Sequence, residues 1–206
     1  MKKIMFSDDY HLTQAVLNKP KTMTRRKLII PTTFEGKNVY GFNVLNNSAG
    51  TQCVDLLDEN ENIIGHWRPK YEVGEVVAIA QPYKDIIKYL PDSDSVLDKD
   101  GKPCNKFKQG WNNKMFVEAD LMPHHIKITN VKIEHLQDIS DYDILHEGVR
   151  KVYDNNAHYY VYKYLSDGFV FYTSQEAFTS LINKIMGEGT WDSNPWVVVY
   201  EFALID

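Results

Sequence analysis

Strict alternation of apolar and polar positions runs through Ile126-Lys127-Ile128-Thr129-Asn130-Val131-Lys132-Ile133, the pattern of a half-buried strand. Two other runs are continuously apolar. Val76-Val77-Ala78-Ile79-Ala80, bounded by Gly74 and Pro82, reads as a buried strand, and residues 197–202 as an apolar final strand. Shorter strands are expected at 39–44, 53–57 and 63–67. The polar stretch Asp58-Glu59-Asn60-Glu61-Asn62 makes a hairpin of the last two. A second hairpin is expected from 159–164 and 169–172 around Ser166-Asp167-Gly168.

Helical spacing appears in three places. Leu12, Val16 and Leu17 follow Ser7-Asp8-Asp9, which predicts Ser7 as N-cap and Pro20 as the stop. Ser140 is expected to cap a helix with Asp141 and Asp143 in its first turn, Ile144 and Leu145 buried, and Gly148 just past its end. Ser174 is expected to cap a third, with Phe178, Leu181, Ile182 and Ile185 at core spacing. Residues 84–114 are turn-rich and read as an insertion or lid. No repeat, low-complexity tract or linker divides the 206 residues, so a single domain over 1–206 is expected. Short strands with few helices predict an α+β fold, an open or closed barrel with helices at its rim.

Between the first helix and Leu28-Ile29-Ile30-Pro31 lies Lys21-Thr22-Met23-Thr24-Arg25-Arg26. Three cations and two hydroxyls in six residues suit an anion or nucleotide cradle. If the stretch is extended, Lys21, Met23 and Arg25 point one way and Thr22, Thr24 and Arg26 the other. Lys21 and Thr24 then share a pocket only where the backbone departs from a regular strand.

Charge sharpens this reading. The chain carries −5, but residues 1–31 carry +5 and the remainder −10. A positive locus on an acidic body fits a small anionic ligand or a short strand better than a long duplex. Aromatic content is 13%, enough to supply stacking platforms besides core. Cys53 and Cys104 form no CxxC, and no secretory apolar segment opens the sequence, which implies a reduced, cytoplasmic protein. No apolar run is long enough to span a bilayer. His124-His125 lacks ligand partners at metal spacing, so no metal and no cofactor are expected.

The order of blocks resembles the ASCH domain of the PUA-like superfamily, and particularly its longer phage and prophage members. The blocks are Lys-Thr-x-Thr-Arg-Arg at 21–26, Tyr71-Glu72-Val73-Gly74-Glu75 running into a strand, Leu136-Gln137-Asp138-Ile139-Ser140 with a helix closing on Glu147-Gly148, and Trp191-Asp192-Ser193-Asn194-Pro195-Trp196 before the final strand. The matching blocks run over 21–26, 71–77, 126–149 and 178–202. Residues 32–70, 84–114 and 150–173 then read as insertions. The resemblance implies a small PUA-like mixed β-barrel that binds RNA or a modified nucleoside or nucleotide. A short bacterial member of the family hydrolyses the acetyl amide of N4-acetylcytidine. By motif position its Lys, Thr and Glu correspond to Lys21, Thr24 and Glu147. Thr22, Arg25, Arg26, Trp191, Asn194 and Trp196 are the expected ligand-binding residues.

Two functions follow as expectations: a binding module for RNA or a nucleotide, and an amidohydrolase acting on an acylated nucleoside. A third, an accessory protein whose insertions contact other proteins, has less behind it. Hydrolysis requires a lowered lysine, here through repulsion from Arg25 and Arg26, a hydroxyl from Thr24, a proton shuttle at Glu147 and an arginine fork for the anion. Bland alternatives stand beside these roles. Lys21 can be a solvated turn residue, Glu147 a surface acid, Arg26 an ion-pair partner of Glu147 or Asp138, and the two tryptophans a seal on a barrel end.

Overall fold

The long alternating strand is the spine of the molecule. The computed structural model describes residues 1–46, 52–87, 96–98, 100–156, 158–164 and 168–206. In chain order the elements are β1 (Lys3–Ile4), α1 (Leu12–Leu17), β2 (Met23–Lys27), β3 (Thr33–Phe34), β4 (Lys37–Asn38), β5 (Gly41–Asn46), β6 (Gln52–Leu57), β7 (Ile63–Trp67), β8 (Val76–Ile79), α2 (Tyr83–Ile86), β9 (Val96–Leu97) and β10 (Pro103–Cys104). They continue with β11 (His125–His135), α3 (Asp141–His146), β12 (Arg150–Asp154), β13 (Tyr159–Lys163), α4 (Ser174–Met186), α5 (Thr190–Ser193) and β14 (Trp196–Leu204).

The main sheet has the order β1-β8-β11-β14-β2. β1 runs parallel to β8, and the other neighbours are antiparallel. β14 is buried on both faces, with Val197, Val198, Val199 and Tyr200 all shielded, which is why its sequence is continuously apolar rather than alternating. β5, β6 and β7 form a separate antiparallel sheet, joined to β11 where the Gln52 side chain both donates to and accepts from the Ile133 backbone. The predicted hairpin at 53–67 is present, and Asp58 accepts from the Asn60 and Asn62 amides in its turn.

The fold is α+β, dominated by sheet. Among the described residues no ladder joins β1 to β2, so the sheet is not a closed barrel. Its two edge strands are bridged by a side chain instead: Arg26 on β2 donates to the Met5 carbonyl just past β1.

Three local expectations need correction. The first helix starts at Leu12 rather than behind Ser7. His11, at φ 51°, precedes it, and the Ser7–Asp9 segment forms a turn whose Asp8 accepts from the Thr13 hydroxyl. The third helix is capped by Thr173, which accepts from the Glu176 amide, one residue before the expected Ser174. The second hairpin is β12 with β13, whereas 169–172 meets β13 only through a bridge between Tyr162 and Phe171. Ser166 and Asp167 of its expected turn lie outside the described residues.

α4 buries Ala177, Phe178, Leu181 and Ile182 in the main core. Burying a side chain such as Phe178 or Leu181 stabilises by about 1.5–3 kcal/mol. Ile185, expected on the same face, is half-buried. A second, smaller core beneath residues 104–122 encloses Tyr83, whose hydroxyl accepts from the Glu118 amide. Tyr83 is therefore a core residue. No helix among the described residues is long and apolar enough to cross a membrane.

Candidate functional site

The register of β2 on β14 sorts the basic stretch onto two faces. Arg25 lies opposite Val199, and Lys132 and Glu134 of β11 lie opposite Val199 and Val197 on the far side of β14. All three side chains share one face of the sheet. Thr24 and Arg26, opposite Tyr200 and Val198, take the other face.

α3 drops its C-terminal end onto the first face. Ser140 caps the helix as expected by accepting from the Asp143 amide at 3.1 Å. Gly148, at φ 107°, turns the chain away, and a Cβ there would lie 3.2 Å from Leu12 and 3.6 Å from the Lys21 side chain. Glu147 sits on the final turn, the end of a helix dipole that disfavours a carboxylate. It is tolerated because cations surround it. The Lys21 ammonium donates to its carboxylate at 2.6 Å and to its backbone carbonyl at 2.7 Å. The Thr22 amide donates to the neighbouring His146 carbonyl at 2.9 Å. The Lys-Thr pair thus satisfies carbonyls that a helix leaves unpartnered at its end.

Arg25 completes the cluster. It donates to Glu147 at 3.1 Å, to Asp143 at 2.8 Å and to Glu134 at 2.6 Å and 3.0 Å. Lys132 lies 3.1 Å from Glu134 and 3.2 Å from Asp143. Three cations therefore face three carboxylates. Lys21 is only 2% exposed and Glu147 5%. Burial pushes the Lys21 ammonium below its ordinary value; Glu147 opposes that shift, and Arg26 and Arg25 add to it. Burial alone would raise Glu147, but Lys21 and Arg25 hold it below the usual carboxylate range. Asp143 is held low in the same way by Arg25 and Lys132, against its own desolvation.

Lys21, Thr24, Arg25, Arg26 and Glu147 line one cavity of about 30 Å³, closed by Phe6, Leu12 and α4 through Phe178, Leu181 and Ile182. That volume is about the room one water needs. Lys21 and Thr24 can both reach it for two reasons. The regular ladder begins only at Met23, and β2 is an edge strand, so side chains from both faces curl around its free edge.

The basic stretch divides sharply between its arginines. Arg25 is fully engaged by carboxylates and has no charge left for an anion. Arg26, expected to bind ligand, with an ion pair to Glu147 or Asp138 as the bland alternative, pairs with neither acid. Asp138 accepts instead from the His135 amide in its own turn. Among the described residues Arg26 donates only to the Met5 carbonyl and lies over the Phe6 ring at 5.8 Å, with no carboxylate within ion-pair distance. It also lines an open cleft of about 350 Å³ on the other side of the Met5–Phe6 segment.

The remaining expected ligand residues sit elsewhere. Thr22 faces shallow surface hollows near Lys19 and Phe202. Asn194 takes φ 41° and accepts from the Gln137 amide at 2.8 Å, so it fastens a turn. Trp196 stacks on His135 at 3.9 Å, and Trp191 meets Phe178 edge-on at 6.1 Å. None of the three lines the cavity or the cleft. Both tryptophans pack against neighbouring rings and stand apart from the cavity and the cleft.

Glu134, Asp143 and Lys132 were not anticipated as members of the site. Their only signals in the sequence are the alternation that puts Lys132 and Glu134 on one strand face, and the helix phase that puts Asp143 one turn before Glu147. Among the described residues no group of three or more His, Cys, Asp or Glu is arranged to hold a metal ion. No family model, curated protein or solved structure matches this chain.

Proposed function

We propose that this chain is a PUA-like protein of the ASCH type that binds a nucleoside or nucleotide, free or in short RNA, at the cavity and cleft that meet at Arg26. The observation that carries this reading is the convergence of Lys21, Thr24, Arg25, Arg26 and Glu147, five residues drawn from two distant motifs, on one cavity. The unpaired Arg26 supplies the positive charge such a ligand requires, and the acidic remainder of the chain favours a small ligand over a long one. Equilibrium titration with cytidine, cytidine monophosphate and a short single-stranded RNA at several salt concentrations tests it. Binding that weakens with salt is expected for the phosphate-bearing ligands. Absence of binding to all three at millimolar concentration overturns the proposal.

A second reading, an amidohydrolase acting on an acylated nucleoside such as N4-acetylcytidine, rests on one contact. Lys21 and Glu147 touch at 2.6 Å beside Thr24 and a cavity of about one water's volume. A desolvated lysine, a hydroxyl and a carboxylate are the groups that amide hydrolysis uses as base or nucleophile, donor and proton shuttle. Acetate release from N4-acetylcytidine, lost in Lys21→Ala and in Thr24→Ala, is the expected result. Equal rates with and without protein remove this reading and leave the binding one intact.

A further inference from the structure

The open cleft beside Arg26 has a composition that the cluster around Glu147 does not explain. It lies between the two edges of the main sheet, and its walls include Arg26, Lys3, Lys27, Lys70, Trp67 and Tyr71. Four of these six are cationic, and among the described residues no acidic one lines the cleft. Glu75, whose charge is felt at Tyr71 and Tyr200, is held by Lys2 at 3.0 Å and by the Glu72 amide at 3.0 Å, and Glu147, whose charge is felt at Arg26, is held by Lys21 and Arg25. Lys3 donates to the carbonyls of Met115 and Val117, at 2.7 Å and 2.8 Å, which fixes its ammonium without cancelling its charge. Lys70 lies over the Tyr71 ring at 5.3 Å, and Lys27 is exposed. A guanidinium has five N–H donors. Arg26 uses one, toward Met5, and leaves its fork unpaired at the cleft wall.

Neutral groups complete the cleft. The Tyr71 hydroxyl donates to the Lys3 carbonyl at 2.7 Å, and its pKa is raised to about 12, chiefly by burial, so it presents no negative charge. Trp67, at the end of β7, is half-buried, and among the described residues it makes no ring–ring contact and its indole N–H donates to no protein group. An aromatic face and several cations with no ion-pair partner among the described residues, in a space of about 350 Å³, match a small planar ligand that carries a phosphate.

We infer that this cleft seats a nucleoside 5′-phosphate, with the phosphate held by Arg26 and Lys70, Lys27 adding positive charge at the rim, and the base against Trp67. The inference rests on the nucleotide-binding reading above and names its ligand: the phosphorylated nucleoside rather than the free one. Among the described residues Arg26 is the one shared by cleft and cavity, so a ligand seated here lies next to Lys21 and Thr24 without entering the water-sized cavity.

Calorimetric titration of the full chain with cytidine monophosphate, cytidine, inorganic phosphate and a short oligoribonucleotide tests the assignment. The variants are Lys27→Ala/Lys70→Ala, whose side chains lie on the surface, and Trp67→Phe, which keeps a ring. Cytidine monophosphate is expected to bind at least about tenfold more tightly than cytidine, the effect of one or two charge-assisted hydrogen bonds. The double variant is expected to bring the two ligands to similar affinity, and Trp67→Phe to remove most of the fluorescence quench caused by cytidine monophosphate. Equal binding of cytidine and its monophosphate to the wild type overturns the phosphate seat but leaves nucleoside binding standing. Unchanged monophosphate affinity in the double variant does the same. Inorganic phosphate competing as well as the monophosphate overturns the base half. An oligoribonucleotide that binds more tightly than the monophosphate and is indifferent to the double variant places nucleic acid elsewhere and overturns the assignment. Binding of none of the probes removes this inference and the reading beneath it together.

Discussion

Two compartments one residue apart treat charge in opposite ways. In the cluster beside the cavity, Lys21, Arg25 and Lys132 face Glu134, Asp143 and Glu147, and nearly every donor has an acceptor. The cleft is walled by Arg26, Lys27 and Lys70, and among the described residues no acid lines it. The first arrangement holds the end of α3 against β2 and is self-sufficient. The second is electrostatically incomplete, and a ligand's anion completes it. Adjacent arginines therefore have different roles, decided by which side of a strand each occupies. Variants that touch only one compartment separate the two.

The largest effect is expected from Glu147→Gln. It leaves Lys21 and Arg25 buried without their shared carboxylate, and breaking a buried pair in this way costs about 3–5 kcal/mol. Urea denaturation should show the loss as a lower midpoint with an unchanged slope. A loss under 1 kcal/mol would mean that the cluster is solvated and that the contrast with the cleft fails.

Acid probes the same cluster reversibly. Glu147 and Asp143 are held below their unfolded values, so the unfolded chain binds more protons as pH falls. Their contribution is complete above the ordinary carboxylate range of about 4 and is lost as pH drops through the lowered folded values. Thermal melts between neutral pH and about pH 3 are expected to show this fall, and Glu147→Gln should flatten it.

Gly148→Ala follows in size. A non-glycine residue at φ 107° is strained by about 1–3 kcal/mol, and the added methyl would press on Leu12 and Lys21. Its expected signature is a lower melting temperature with monophosphate affinity preserved. Lys70→Ala should be smallest on this scale, within about 0.5 kcal/mol of wild-type stability, because the side chain is exposed. Affinity and stability would then respond to different variants, which is the separation the two compartments demand.

Much of the frame was legible in the sequence. Ser140, Gly148, the 53–67 hairpin and the alternating and continuous strands follow from local pattern, and local pattern is what decides them. The proximity of Lys21 to Glu147 was legible only through the order of motifs. The division of labour between Arg25 and Arg26 was not, because it depends on the register of β2 against β14 and on where α3 ends, both long-range facts. The turn at Asn194 and the stacking of Trp196 on His135 were hidden for the same reason. A tryptophan beside an Asn-Pro turn reads alike whether it faces a base or a neighbouring imidazole.

β2 has one further consequence, for solubility. It is the edge strand of a five-stranded sheet, and an edge with free amides and carbonyls invites a strand from another molecule to add on. Here that edge is obstructed near both ends. The end of α3 takes up the Thr22 amide at one end, and the Arg26 side chain crosses to Met5 near the other. The residues argued to handle a ligand also keep copies of this chain from growing into a common sheet.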